Sequence, residues 1–387
     1  MKIERVRAIP IKLPRDLASD TGTAGCPARL VGQKPYRPAE HYDTIYSTQI
    51  ETTLVRVETE VGLVGWGEAQ SPVAPEVTAT IIEALLGPLI AGHDALAPEQ
   101  LWHQMYSAMR VRGHGGGFYL DAIAGIDIAI WDLCGKAIGQ PVCRLLGGPC
   151  RTEIPYYISG LAGATQADRI AYVSRFADQG HHDFKLFVDA SPEDCLATID
   201  GLLGALGGRA NFYVDALWRL KPKQALRFAN ELAARSVGWL EAPLAPEDVA
   251  GHARLAEHAE LPIAIGESYR TRFELLPFFE QRALDIVQPD LGRVGLTEGQ
   301  KIAALAETFH VAVAPHVSIG LGPQIAAALH FAAACPNLLV LECNPKIYEA
   351  ANRFLKNPLS IAPTSLKIPE GPGLGIELRL DDLGTLS

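Results

Sequence analysis

The second half of the chain alternates short apolar runs with longer amphipathic stretches. Eight of the runs are rich in β-branched, aromatic and leucine residues; they lie at residues 154–160, 183–188, 210–216, 237–243, 262–268, 284–290, 311–316 and 338–343. The stretches between them, such as 166–179 and 222–235, repeat apolar residues at helical spacing. Eight strands that alternate with helices predict one closed parallel β/α barrel rather than an open sheet.

The region before the barrel has a different pattern. Residues 52–59 are typical of a strand, Gly62 of a turn, and Gly65-Trp66-Gly67-Glu68 of a partner strand, and helical stretches follow. A hairpin followed by helices predicts a separate α+β domain, which we place at residues 1–125, in front of a barrel at residues 126–355.

Two segments remain, the C-terminal tail and a polar stretch near the N-terminus. Residues 368–376 predict a turn and a final strand for which no barrel partner is left, so we expect the tail, residues 356–387, to return to the N-terminal domain. Residues 18–42 are rich in glycine, proline and polar side chains and are too long for a plain connection. They form either a lid or a disordered linker.

Six consecutive predicted barrel strands end in an acid or a histidine. These residues are Asp215, Glu241, Glu267, Asp290, His316 and Glu342. Successive members are 26, 26, 23, 26 and 26 residues apart, which matches the length of one βα unit. We therefore expect them at one height, on the carboxyl-terminal rim where barrel enzymes hold their catalytic groups.

Three of these acids predict a metal site. Burying several carboxylates in one place is costly unless a cation or hydrogen bonds compensate them. Asp215, Glu241 and Glu267 come from neighbouring strands and offer only oxygen ligands, which favours a hard ion such as Mg²⁺ over zinc. For a single acid at a strand end, a helix N-cap or a salt bridge at the rim is the alternative.

Two further features indicate proton transfer. Asp290 and His316 end adjacent strands, so the carboxylate can orient the imidazole and make it a general base; a structural histidine is the alternative. Lys185 and Phe187 point into the barrel if Phe184 and Leu186 face the helices. A buried lysine there can contact a substrate carboxylate or act as a base with a lowered pKa, or it can form a structural ion pair with a rim acid.

Composition narrows the class of partner. The net charge is −10 and no cluster of lysine or arginine offsets it, which argues against nucleic acid and anionic membranes as partners and favours a small molecule. Seven scattered cysteines without a C-x-x-C pair suit a reducing compartment. The N-terminus lacks the apolar core of a signal peptide and no run is long enough to span a membrane. We expect a cytoplasmic homo-oligomer.

Several motifs, in order along the chain, resemble the enolase superfamily, in particular its mandelate racemase and muconate lactonizing branch. Residues 122–133 with 145–148 are similar to the family's entry into the barrel, and residues 65–68 to the hairpin of its capping domain. The resemblance covers nearly the whole chain. It implies a modified (β/α)7β barrel of TIM type, with an α+β capping domain built from the N-terminal region and the C-terminal tail.

The same resemblance implies the roles of the strand-end residues. It makes Asp215, Glu241 and Glu267 the ligands of Mg²⁺, and His316 with Asp290 a proton-abstracting dyad. By the same resemblance Glu342 hydrogen-bonds the enediolate formed next to the substrate carboxylate, and Lys185 binds that carboxylate.

Departures from the family pattern select among reactions. The family often carries Lys-x-Lys on the second strand, but here the second position is Phe187, which cannot transfer a proton, and Leu217 stands where relatives have a polar group. One base, His316, suffices to remove an α-proton and return it to a departing β-hydroxyl. Residues 313–316 and 323–329 are similar to members that act on sugar acids and their lactones.

We therefore predict dehydration of an aldonate or aldarate by a Mg²⁺-dependent lyase. Two alternatives stay open. One is a cycloisomerase, epimerase or racemase of a sugar acid or lactone, and the other is a barrel-shaped binding protein whose chemistry has decayed.

Overall fold

The computed structural model describes residues 1–14, 34–39, 43–161, 163 and 165–379. The predicted lid or linker at 18–42 lies outside the described residues apart from 34–39. Among the described residues, no helix combines the length and the hydropathy that a membrane span requires.

The N-terminal region contains the predicted hairpin within a three-stranded antiparallel sheet. Its strands are β1 (Ile3–Pro14), β4 (Gln49–Thr59) and β5 (Val64–Ala69), in the order β1-β4-β5. A small hairpin, β2 (Tyr36–Pro38) with β3 (Ile45–Ser47), lies between them in the chain. Gly62 makes the turn between β4 and β5 with φ of 81°, a left-handed conformation that favours glycine.

Helices follow this sheet and cover it. They are α1 (Pro75–Ile81), a π-helical turn (Ile82–Leu86), α2 (Gly87–Ile90), α3 (Pro98–Arg110), α4 (Phe118–Ile138) and α5 (Val142–Leu145). Helix α4 is buried along most of its length and lies against β5. A Cβ at Gly67 would lie 2.0 Å from the carbonyl oxygen of Gly125, so only glycine permits this approach.

The barrel sheet consists of eight parallel strands. They are β7 (Tyr156–Ile158), β8 (Asp183–Phe187), β9 (Asn211–Asp215), β10 (Leu240–Glu241), β11 (Ile263–Ile265), β12 (Ile286–Val287), β13 (Ala312–Val313) and β14 (Leu341–Cys343). Each lies inside one of the eight predicted runs, and neighbours in the sheet are neighbours in sequence except that β14 pairs with β7. A bridge between Val313 and Leu338 joins the two remaining edges. The predicted barrel is confirmed.

One helix follows each of the first seven barrel strands in the described chain, and a short helix follows the last. These are α6 (Gln166–Asp178), α7 (Pro192–Leu206), α8 (Pro222–Ala233), α9 (Val249–His258), α10 (Arg272–Glu280), α11 (Leu291–Thr308), α12 (Pro323–Ala334) and α13 (Pro345–Asn352). Side-chain caps fix several starts; Thr165, for example, forms a capping box with Asp168.

The C-terminal tail contacts both β6, just before the first barrel strand, and helix α4. Its strand, β15 (Leu366–Lys367), lies just before the predicted segment 368–376 and pairs with β6 (Glu153–Ile154). Further on, the backbone N–H of Leu374 donates to Asp132 of α4 at 2.8 Å. The division at residues 125 and 126 falls inside α4 and remains a prediction.

Candidate active site

The barrel brings the strand-end residues to one rim. Asp215 and Glu241 are partners in the parallel register of β9 and β10, and a backbone bridge joins Asp290 to His316. A cavity of about 260 Å³ opens at this rim. Its lining includes Asp215, Glu267, His316 and Glu342, together with Phe187 and Leu217, whereas Glu241, Asp290 and Lys185 are buried around it.

Asp290 and His316 form the expected contact. Nδ1 of His316 lies 2.7 Å from Oδ2 of Asp290, and the other carboxylate oxygen accepts from the backbone N–H of Gly292 and the side-chain amide of Gln324, each at 2.9 Å. Asp290 also caps the N-terminus of α11. Its carboxylate is therefore held in place, and it fixes the orientation of the imidazole.

The second ring nitrogen of His316 faces the cavity acids. Nε2 lies 2.8 Å from Oε2 of Glu267 and 3.7 Å from Oε2 of Glu342. Burial alone would lower the pKa of His316, but the carboxylates of Glu342, Glu267 and Asp290 raise it well above its usual value. In this arrangement the imidazole is a proton carrier surrounded by acceptors.

Lys185 lies among three of the acids. Its Nζ is 2.7 Å from Glu241, 3.2 Å from Glu342 and 3.7 Å from Asp215, and its side chain is fully buried. Burial opposes the ammonium form, but Glu241 and Glu342 raise the pKa of Lys185 well above its usual value. Here Lys185 is a buried cation in an ion-pair cluster, which was the structural alternative for this residue.

The three predicted metal ligands each have protein partners. Glu241 accepts from Lys185 on one oxygen and from Gln288, at 2.7 Å, on the other. Glu267 accepts from the indole N–H of Trp218 at 2.9 Å and contacts His316. Burial, then Glu241 and Glu267, raise the pKa of Asp215 well above its usual value, so the acids crowd one another.

These residues fit a magnesium ion in their donor chemistry but not in their present arrangement. The donor chemistry fits, because all three offer carboxylate oxygens and their mutual repulsion calls for a cation. The arrangement is not preassembled: among the described residues, no group of three or more histidine, cysteine, aspartate or glutamate side chains is placed to hold a metal ion. The ammonium of Lys185 and the imidazole of His316 take up oxygens that an ion would use.

Sequence reasoning did not identify several residues that support the site. Gln324 and Gln288 hydrogen-bond the acids, and Trp218 holds Glu267. Glu68, in the predicted hairpin, accepts from the backbone N–H groups of Leu321, at 2.7 Å, and Gln324, at 3.2 Å. No local pattern marks glutamine or tryptophan side chains as partners of acids on other strands.

The backbone is strained at the turn that contains Trp218. Leu217 and Trp218 have φ of 56° and 60°, a left-handed conformation that is uncommon for residues other than glycine. The turn directs the Leu217 N–H to Asp215, at 2.9 Å, and the Trp218 indole to Glu267. The strain therefore lies where two candidate ligands are held.

The sequence matches two families in succession. Residues 31–147 match the N-terminal domain of the mandelate racemase / muconate lactonizing enzyme family, and residues 168–383 match the family described as enolase C-terminal domain-like. The chain therefore belongs to the mandelate racemase and muconate lactonizing branch of the enolase superfamily. The family predicted from the motifs is confirmed.

Individual relatives agree with this assignment. The chain is 35% identical to D-galactarolactone cycloisomerase of Agrobacterium fabrum over 343 residues, 85% of this chain and 89% of the relative. It is 34% identical to D-galactonate dehydratase of Ralstonia pickettii over 354 residues, 87% and 91% of the two chains. A crystal structure of an enolase-superfamily member from Agrobacterium tumefaciens superposes with a TM-score of 0.93 at 33% identity, covering 99% of this chain and 98% of that one.

Proposed function

We propose that this protein removes the proton next to the carboxylate of a sugar acid and then expels the β-hydroxyl, which is dehydration to a 2-keto acid. The observation that carries the proposal is the contact between His316 and Asp290, with Nε2 of His316 facing the cavity acids. Relatives of similar length include dehydratases and a cycloisomerase, which supports the same reaction class.

His316 performs both proton transfers in this scheme. The neutral imidazole takes the α-proton, which requires that Glu267 first release Nε2. The electron pair left behind spreads over the carboxylate as an enediolate. The imidazolium, oriented by Asp290, then returns the proton to the departing β-hydroxyl, which leaves as water. The enol that forms converts to the 2-keto acid.

Asp215, Glu241 and Glu267 would hold Mg²⁺. The ion, when bound, would stabilise negative charge that develops on the substrate carboxylate. The contacts that Glu241 makes with Lys185 and Glu267 makes with His316 have to be exchanged for the ion. Binding of Mg²⁺ therefore includes a local rearrangement of these side chains.

Lys185 and Glu342 would interact with the substrate carboxylate. The ammonium of Lys185 supplies a buried positive charge that can bind a carboxylate in place of Glu342, now 3.2 Å away. Burial favours the neutral form of Glu342, but Lys185 and His316 lower its pKa. It is an acceptor in this arrangement, and it donates to an enediolate only once it is protonated.

Opening of a sugar-acid lactone is the second candidate. Phe187 lines the cavity two residues after Lys185 on β8 and cannot supply a proton to a leaving group. Lactone opening needs none, because a ring oxygen leaves as a carboxylate whereas a hydroxyl must be protonated. A relative named for this reaction is 35% identical to the chain.

The experiment is a screen of aldonates, aldarates and lactones with Mg²⁺ or EDTA, read by NMR in D₂O. Loss of water with a 2-keto product identifies the dehydratase, and an isomeric keto acid identifies the cycloisomerase. Deuterium in recovered substrate without elimination identifies an epimerase. The variant His316→Asn should lose turnover. His310→Asn is the matched control, since His310 is exposed with φ of 60°, which asparagine adopts readily.

The proposal fails if no sugar acid is turned over or exchanges its α-proton in the presence of Mg²⁺. It also fails if an activity survives both EDTA and His316→Asn. The first outcome would favour the decayed binding protein.

A further inference from the structure

Arg293 is a cationic side chain in the lining of the cavity at the rim. It lies in the first turn of α11, three residues after Asp290, and it is half-buried. The same cavity is lined by Asp215, Glu267 and Glu342. Arg293 therefore carries a charge opposite to that of these three acids.

The N-terminal domain holds Arg293 in place. Its Nε donates to Oε1 of Gln70 at 2.8 Å, and the amide nitrogen of Gln70 donates to Ser318 at 2.7 Å. The backbone N–H of Gln70 donates to the carbonyl oxygen of Gly292, at 2.9 Å. Gln70, Arg293 and Ser318 all line the cavity, so this linkage forms part of its wall.

The two terminal nitrogens of Arg293 have no acceptor among the described residues. Within the described part of the chain, no carboxylate lies within ion-pair distance of Arg293 and its only hydrogen bond is the one to Gln70. A guanidinium fork matches a carboxylate in two parallel hydrogen bonds. Its position at the N-terminus of α11 adds a further preference for an anion.

We propose that Arg293 binds a second carboxyl group of the substrate, so that the site takes sugar acids oxidised at both ends, aldarates or their lactones, in preference to aldonates. The inference rests on the proposed function, because the first carboxylate must lie next to His316. An aldonate carries a hydroxymethyl group at its far end, which is neutral and cannot accept two hydrogen bonds from the fork.

The same contact serves both candidate reactions. In an aldarate, the second carboxylate is present from the start and only positions the substrate. In an aldarolactone, the bond between the β-carbon and the ring oxygen breaks, and that oxygen becomes part of a new carboxylate facing Arg293. The α-proton goes to His316 and then to carbon, so the product is an isomer and no atom is lost.

The test compares galactarate and its lactone with D-galactonate. Galactarate and D-galactonate differ only in oxidation of the far carbon, and the lactone is galactarate with one carboxyl group closed onto one of its own hydroxyl groups as an ester. The proteins are wild type, Arg293→Met, Arg293→Lys and, as a control, Arg112→Met, in which the arginine is exposed and outside the cavity. We expect Arg293→Met to lower kcat/KM by about 10- to 100-fold for the aldarate, mainly through KM, and for the lactone, mainly through kcat, because its second carboxylate forms only as the ring opens; for the aldonate we expect less than about threefold. Arg293→Lys should lie between, because it keeps the charge but not the fork.

Binding is measured in parallel by calorimetry on the His316→Asn background with Mg²⁺ present, so the preference is also read without turnover. Equal binding of galactarate and galactonate, or an equal loss for both in Arg293→Met, would overturn the inference. A binding preference that depends on Arg293 with no turnover of any acid would instead overturn the proposed function and leave this inference standing.

Discussion

The side-chain amide of Gln324 donates to Oδ1 of Asp290 at 2.9 Å, on the carboxylate oxygen that does not face His316. Gln324 is fully buried, and its backbone N–H donates to Glu68 in the N-terminal domain. The orientation of the dyad therefore depends on a side chain from α12, which packs under β5 of the N-terminal sheet.

Replacing Gln324 by methionine should lower kcat and leave KM nearly unchanged. Asp290 loses one of two donors on that oxygen, and a hydrogen bond to a charged group contributes roughly 1.5–3 kcal/mol, so we expect a decrease of about tenfold or more. Steady-state kinetics on the best substrate measures it. Gln300→Leu is the control: Gln300 is a half-buried residue of α11 whose amide donates to the carbonyl oxygen of Leu146. Equal kcat in wild type and Gln324→Met would show that Gly292 alone holds the carboxylate.

Replacing Phe187 by lysine should add a second proton carrier to the cavity that His316 also lines. The new ammonium would lie near Lys185, whose Nζ is 5.6 Å from the present ring centroid, and repulsion between the two favours its neutral, basic form. We expect deuterium from D₂O to enter recovered substrate, as NMR would detect.

The matched control for this variant is Phe187→Leu, which also removes the ring but brings no titratable group. Exchange in Phe187→Lys and not in Phe187→Leu supports the assignment of this position as the missing second base. The same exchange in both variants, or in neither, would contradict it.

Adding Mg²⁺ should raise the melting temperature of the wild-type protein, since a ligand at about 100 times its Kd stabilises a fold by about 2.7 kcal/mol. Asp215→Asn should remove that shift. Because burial, Glu241 and Glu267 raise the pKa of Asp215, the neutral amide should not lower the melting temperature without Mg²⁺. Glu99→Gln, at an exposed position, is the control. A Mg²⁺ shift that survives in Asp215→Asn would place the ion elsewhere.

Strand-end acids were predictable because a barrel unit has a fixed length and ends at one rim. The pattern located Asp215, Glu241 and Glu267 on one rim, and alternation along β8 turned Lys185 inward. Neither rule states which acid a buried lysine contacts, because that depends on side-chain conformations and on the distance between strands. The pairing of Lys185 with Glu241 therefore emerges only from the three-dimensional structure.

Contacts between distant segments were also beyond the sequence. Gln70 and Arg293 are 223 residues apart, and each is an ordinary polar residue in its own segment. Their contact exists because β5 packs against the first turn of α11. The predicted homo-oligomer and the two-domain boundaries likewise depend on surfaces that local patterns do not describe, and they remain predictions.

Glu68 makes the stability of the fold depend on pH. It is fully buried, and burial raises its pKa from 4.5 to about 7 despite hydrogen bonds from Gln324, Leu321 and Thr52. The fold therefore favours the protonated carboxyl, and this contribution is complete below pH 4.5. It is lost as the pH rises to about 7, where the loss amounts to about 3 kcal/mol.

Glu68→Gln should remove this dependence, because the amide is neutral throughout. The measurement is the melting temperature of both proteins at steps from pH 4.5 to 7.5. The wild type should lose stability relative to Glu68→Gln as the pH rises. A constant difference between the two proteins is also expected, because the variant has lost a hydrogen-bond acceptor. Glu307→Gln, at an exposed position, should run parallel to the wild type. Parallel curves for wild type and Glu68→Gln would mean that Glu68 is ionised in the fold, with its three donors outweighing burial.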